Sequence, residues 1–168
     1  MDIKNALLAD RTKEYYETLA KQIGSDNILL GELVDLVTTK DKKISNRAAW
    51  VLSKCADRNI KLITPYLKPL INNLTLSSDD GVKRNTLRVL QDIEVPEEYY
   101  GILADQCFKF LGSNKEAIAI KVFAMTVLSN ICKEVPELKN ELRIIIEDQM
   151  PYGSAGFKSR AKKVIKNL

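Results

Sequence analysis

Histidine is absent from this sequence. The side chain that most often serves as a general base near neutral pH, and most often ligates a transition metal, is therefore missing. Cysteine is scarce: Cys55, Cys107 and Cys132 only, with no CxxC pair. Three separated thiols do not make a structural zinc site. An odd number without framework spacing points to reduced thiols in the cytosol, and their apolar neighbours point to small buried hydrophobes. Glycine and proline are few, 7 and 5, which excludes low-complexity character. No Gly-rich phosphate loop is present. No apolar run reaches the roughly 18–20 residues that span a bilayer. The start, Met1-Asp2-Ile3-Lys4-Asn5, carries no signal-peptide core. These absences lead to the expectation of a soluble, cytoplasmic protein that is not an enzyme and has neither metal nor cofactor.

What is present is ordinary globular material, 45 % hydrophobic and 29 % charged, with a net charge of +4. The 168 residues suffice for one domain with a real core, so 1–168 is read as a single domain. The informative feature is a repeat. Ile44–Leu52, Val82–Leu90, Ile120–Leu128 and Phe157–Ile165 align without gaps, starting at 44, 82, 120 and 157. Each copy opens with a large apolar residue. Four positions on comes a small one: Ala48, Thr86, Ala124 or Ala161. Three beyond that stands Val51, Val89, Val127 or Val164, followed by Leu or Ile. These offsets share one face of a helix. A period near 40 residues with helical spacing inside it defines a helical solenoid.

The rest of the chain reads as helices too, about nine in all, with no strand. Ile3, Leu7, Tyr15, Leu19 and Ile23 mark one stripe of an N-terminal helix ending at Gly24. A short helix spans about residues 28–38. Asn59–Leu76, Pro96–Leu111 and Pro136–Met150 lie between the repeated helices. Pro96 and Pro136 suit a first turn; Pro65 starts the main part of its helix, and Pro69 either kinks it or lies in its first turn. Asp41, Asp79 and Ser154 each stand three residues before a repeat copy, the N-cap place. In the third copy Ala117 occupies that place, so Ser113 or Asn114 is expected to cap a longer helix. Short connections make neighbouring helices antiparallel.

The pattern of apolar, basic, two variable, small, variable, Val and Leu resembles the second helix of a HEAT repeat, over roughly residues 28–168. More narrowly, Lys43–Leu52 and Ser154–Ala161 are similar to a group of small bacterial HEAT-like proteins without established activity, some labelled adenylosuccinate lyase. That label finds no support here, since the chain is short, lacks histidine and has no Gly-rich loop and no run like the signature of that lyase. The resemblance implies an all-α, right-handed HEAT/ARM-like superhelix of about four helical-pair repeats plus an N-terminal helix. Departures from the repeat pattern are Ser45, where a cation is usual, and Leu87, Met125 and Lys162 in place of a second Ala.

Positions zero, four, seven and eight of each copy point inward; two, six, nine and thirteen point away, on the side that the resemblance makes concave. Position six holds Trp50, Arg88, Thr126 and Lys163. Position two holds Asn46, Arg84, Val122 and Ser159. Position three, at the margin, holds Arg47, Asn85, Phe123 and Arg160. The candidate partner-binding residues are thus Arg47, Trp50, Arg84, Arg88, Phe123, Arg160 and Lys163: aromatic anchors among arginines, the types enriched at interface hot spots. Against this, basic residues also merely solvate a helix face, and a lone Trp often packs under a neighbour. Residues 149–168 carry Lys158, Arg160, Lys162, Lys163 and Lys166 and no acid. This is either a patch for phosphates or an acidic protein, or the polar cap of a terminal repeat. Trp50 and Asp57, seven apart on one helix face, invite comparison with HEAT-like DNA glycosylases, whose other groove residues find no match. The expected function is a non-enzymatic scaffold that binds a protein partner through its concave face. The alternative is a nucleic-acid binder using the basic groove and the C-terminal basic helix.

Overall fold

The computed structural model describes residues 1–77 and 79–168. Among the described residues are ten α-helices and no strand: α1 (Ile3–Ala9), α2 (Lys13–Ile23), α3 (Asn27–Val37), α4 (Lys42–Arg58), α5 (Leu67–Leu76), α6 (Asp80–Leu90), α7 (Tyr100–Gly112), α8 (Ile118–Glu134), α9 (Lys139–Gln149) and α10 (Ala155–Asn167). The four aligned segments lie on α4, α6, α8 and α10, the second helices of four helix pairs. This is the all-α solenoid that the repeat predicts.

The chain forms two compact units, Met1–Glu94 and Val95–Leu168. In the first, α3 packs on α4 and α5 on α6, while α4 meets α6 and α3 meets α5; α1 and α2 lie against α4. In the second, α7 packs on α8, α8 on α9 and α10, and α7 on α9. Each unit is therefore two layers of helices around an apolar seam. The small residue of each copy sits in that seam: Ala48, Ala124 and Ala161 are fully buried and Thr86 nearly so. A large side chain there would hold the helices apart. The flanking Ile44, Val51, Leu52, Val82, Val89, Leu90, Ile120, Val127, Leu128, Phe157 and Val164 are buried with them. Only Ile165, at the end of the last copy, is half-exposed.

The expected caps form. Asp41 accepts from the amides of Lys43 and Ile44, Asp79 from Val82 and Ser154 from Phe157. Each carboxylate or hydroxyl satisfies first-turn amides that have no partner inside the helix. Pro69 falls in the first turn of α5, as one of its two readings had it. Pro136 opens a 3-10 turn that leads into α9.

Three expectations need correction. The N-terminal segment is two helices, not one, which also raises the count from nine to ten. The Asp10 carboxylate accepts from the Thr12 amide at 3.0 Å, and the Thr12 hydroxyl accepts from the Tyr15 amide at 3.3 Å. These local bonds offer the backbone an alternative to helix, and a new helix begins. The register resets across the break, so Tyr16, not Tyr15, is the tyrosine buried with Leu19 and Ile23. Second, α8 opens at Ile118 with no side-chain cap, while the Ser113 hydroxyl closes a separate turn by accepting from the Lys115 amide. Third, the segment before α6 is broken into two 3-10 turns and α5, and Pro65 lies in the second turn rather than starting the helix.

Candidate functional site

The first unit holds Arg47, Trp50, Arg84 and Arg88. Trp50 is half-buried on α4, its ring edge-on to Tyr16 with centroids 4.9 Å apart and planes at 78°. Tyr16 is 1 % exposed and its hydroxyl has no partner among the described residues. Burial raises its pKa, against the opposing charge of Arg47. Arg84, on the first half of α6, is exposed. Arg88, one turn on, donates from Nη2 to both oxygens of Asp57, at 2.8 and 3.1 Å. Asp57 also pairs with Lys54 at 3.5 Å, and Lys54 with Glu17 at 3.8 Å. This chain of alternating charges joins α2, α4 and α6 along the outward side of the second helices. Every group in it except Lys54 is more than a third exposed, so it orients side chains more than it stabilises the fold.

Arg47 does not join that face. It is 9 % exposed and donates from Nη1 to the carbonyl of Leu7 at 2.8 Å. The cause is α1: its last carbonyls lack intrahelical donors. Arg47 serves Leu7, and the Tyr15 hydroxyl serves Ala6 at 2.9 Å. A buried carbonyl without a partner costs more than a surface contact returns, so the guanidinium goes inward. Position two is drawn in likewise. Asn46 donates to the Asp79 carboxylate at 2.8 Å and ties α4 to the cap of α6. Gly81 makes the approach possible, since a Cβ there would lie 2.0 Å from Asn46 Nδ2.

The second unit holds Phe123, Arg160 and Lys163. Phe123 is half-buried on α8. Arg160 on α10 donates from Nη1 to the Thr126 hydroxyl at 2.6 Å, and that hydroxyl donates to the Val122 carbonyl at 3.1 Å. Lys163 is exposed. The candidate residues thus fall into two groups: Trp50, Arg84 and Arg88 in one unit, and Phe123, Arg160 and Lys163 in the other.

Sequence reading missed Lys54 on α4, and Tyr16 and Glu17 on α2, which the helix break places beside it. The Asp57–Arg88 pair carried a signal: position thirteen of one copy opposes position six of the next. In the second unit the same two positions are Lys133 and Lys163. Where the first unit has an acid facing a base, the second has two cations.

Little in this arrangement is poised for covalent chemistry. Burial pushes the Cys55 thiol up to about 11 and raises Cys107 and Cys132 as well. Thiols so shifted are protonated at neutral pH and poor nucleophiles. Among the described residues no group of three or more His, Cys, Asp or Glu side chains could hold a metal ion. No helix among them is long and apolar enough to cross a membrane. Asp57, which invited the glycosylase comparison, has its carboxylate engaged by Arg88 and Lys54.

Stacked helix pairs that present outward columns of aromatic and charged side chains define a helical-repeat scaffold. A model of the HEAT repeat domain matches residues 3–168, and the chain belongs to that family. Searches of curated proteins and of solved structures returned no match. HEAT repeats in general mediate protein interactions and are typically non-catalytic.

Proposed function

We propose that this chain is a non-catalytic cytoplasmic adaptor, that residues 1–168 work as one binding domain, and that it grips a protein partner through the outward face of its second helices. The observation that supports this most is the setting of Trp50. Its ring is fixed edge-on by Tyr16 yet stays half-exposed, two turns along α4 from Asp57, whose carboxylate orients Arg88. A rigid aromatic beside a pre-set guanidinium loses little freedom on binding, which is how hot spots gain affinity. The second unit also has an aromatic and an anchored arginine on successive second helices, Phe123 on α8 and Arg160 on α10, the latter held by the Thr126 hydroxyl. Binding residues on this reading are Trp50, Arg84, Arg88, Phe123, Arg160 and Lys163. The partner is an acidic segment with apolar anchors, because the second unit sets Lys133 and Lys163 where the first has an ion pair.

The test is a partner captured on the wild-type chain and then measured by titration. Trp50→Ala should weaken it by about 2 kcal/mol, roughly thirty-fold, with the helical circular dichroism unchanged. Equal affinity for the variant would refute the reading. Nucleic-acid binding is the second reading, favoured by α10, where Lys162, Lys163 and Lys166 are exposed and residues 149–168 hold no acid. Absence of catalysis is tested by assaying purified protein for hydrolase and lyase turnover. Activity lost on changing one Asp or Glu would overturn it.

A further inference from the structure

Each second helix has a backward side and a forward side. At position three, Arg47 reaches back to the Leu7 carbonyl of α1, and Arg160 back to the Thr126 hydroxyl of α8. With 3.6 residues to a turn, positions one, five, eight and nine lie on the far side of the helix and turn toward the helix that follows. In α4, against which α6 packs, those positions hold Ser45, Ala49, Leu52 and Ser53, all buried. In α8, against which α10 packs, Met125, Leu128 and Ser129 are buried and Lys121 is half-buried. In α10 the same positions hold Lys158, Lys162, Ile165 and Lys166. Lys162 and Lys166 are exposed, while Lys158 and Ile165 are half-exposed.

A side that is small and apolar in the earlier copies is thus a cationic stripe in this one. None of the three ammoniums has an ion-pair or hydrogen-bond partner among the described residues. The stripe works against its own helix. Lys158 and Lys162, and Lys162 and Lys166, stand four apart, where like charges face each other and destabilise a helix. Lys158 also lies in the first turn of α10, where the dipole opposes a cation. A polar cap needs none of this, since neutral side chains or mixed charges would keep that side solvated equally well. Three like charges at an unfavourable spacing are local choices at odds with the fold, and such choices mark functional surfaces.

We propose that this side of α10 takes an acidic helix of a protein partner, with Asp or Glu side chains on Lys158, Lys162 and Lys166 and an apolar residue against Ile165. Charge complementarity sets the sign, since residues 149–168 hold no acid. The fold sets the shape, because this is the side on which the chain seats helices of its own, α6 on α4 and α10 on α8. Lysines four apart climb about 6 Å per step, which is also the step of carboxylates four apart on a helix laid alongside. Ile165 offers an apolar contact that a run of phosphates would leave unused. The surface does not involve Trp50, so it stands or falls apart from the reading above.

The experiment is a fluorescence anisotropy titration of the 168-residue chain against a labelled, alanine-rich helical peptide of about 20 residues, long enough to hold a helix. The peptide carries glutamates four residues apart beside a row of leucines. A second peptide of the same composition has its glutamates spread around the helix. At about 50 mM salt the striped peptide should saturate below about 1 mM, and the rearranged one should bind at least about five-fold more weakly. Changing Lys158→Glu, Lys162→Glu and Lys166→Glu together should weaken the striped peptide by about ten-fold or more, the sum of three exposed pairs. Trp50→Ala should leave its affinity unchanged. The triple variant should unfold at no lower temperature than the wild-type chain, because it removes Lys158 from the first turn and puts an acid there. Equal binding of the two peptides, equal binding by the triple variant, or a short DNA duplex that binds more tightly than the striped peptide at the same salt would each overturn the proposal. A lowered unfolding midpoint with unchanged peptide affinity would make the lysines a cap and overturn it too.

Discussion

At the scale of single residues, the structure rests on a few positions where size or burial leaves no choice. Ala124 is fully buried where α8 meets its neighbours. Ala124→Leu should overpack that seam and lower stability by about 1–3 kcal/mol, read as a shifted denaturation midpoint. An unchanged midpoint would contradict the repeat packing. Gly81 is constrained from outside its own helix, because Asn46 occupies the space a Cβ would need. Gly81→Ala should push Asn46 off Asp79 and cost about 1 kcal/mol or more. In a double-mutant cycle with Asn46→Ala the two costs should fall short of their sum, because the second change removes the group that clashes. The thiols make a third case. With Cys55 near 11, native protein at pH 8 should react with a disulfide reagent far more slowly than unfolded protein, whose thiols titrate near 8.5. Fast labelling of all three cysteines in the folded chain would show that burial does not hold them.

At the scale of elements, α1 shows how a short helix is kept. Seven residues are too few to be stable alone. Ile3 and Leu7 are buried, and Arg47 and Tyr15 close its last carbonyls. Arg47→Ala should strip one of those bonds and leave a buried carbonyl bare, costing about 1–3 kcal/mol. Amide exchange in α1 and the start of α2 should quicken before the rest of the first unit does. Uniform exchange across that unit would show that Arg47 does not hold α1. The same residue marks what was legible in the sequence. The four second helices, their caps at Asp41, Asp79 and Ser154 and their buried columns followed from periodicity alone, because burial recurs at a fixed helical offset. Arg47 was misplaced because its partner is a backbone carbonyl forty residues away, and carbonyls leave no mark in a sequence. Tyr15 and Tyr16 were exchanged because two consecutive aromatics satisfy the same stripe until the break at Asp10–Thr12 sets the register.

At the scale of the whole molecule, charge separates the protein-partner reading proposed above from the nucleic-acid one. A net +4 on 168 residues is modest. Nucleic-acid binding would draw on Arg84, Arg88, Arg160 and Lys163, but Arg88 is neutralised by Asp57. That leaves Arg84 in the first unit and Arg160 and Lys163 in the second, and each phosphate contact contributes a log–log salt slope of roughly −0.9 on duplex DNA. A complex held by so few contacts is weak at physiological salt and dissolves quickly as salt rises. An acidic protein segment has a further source of free energy, the apolar area of Trp50 and Phe123, which salt does not screen. Its affinity should therefore depend shallowly on salt, with charge acting mainly on the association rate. Following Trp50 fluorescence against a duplex at about 50 and 200 mM salt should give only weak binding at the higher value. Micromolar affinity there, with a slope steeper than about −3 and a loss on removing Lys162, Lys163 and Lys166 that exceeds the loss from Trp50→Ala, would instead make α10 the working surface and phosphate its ligand.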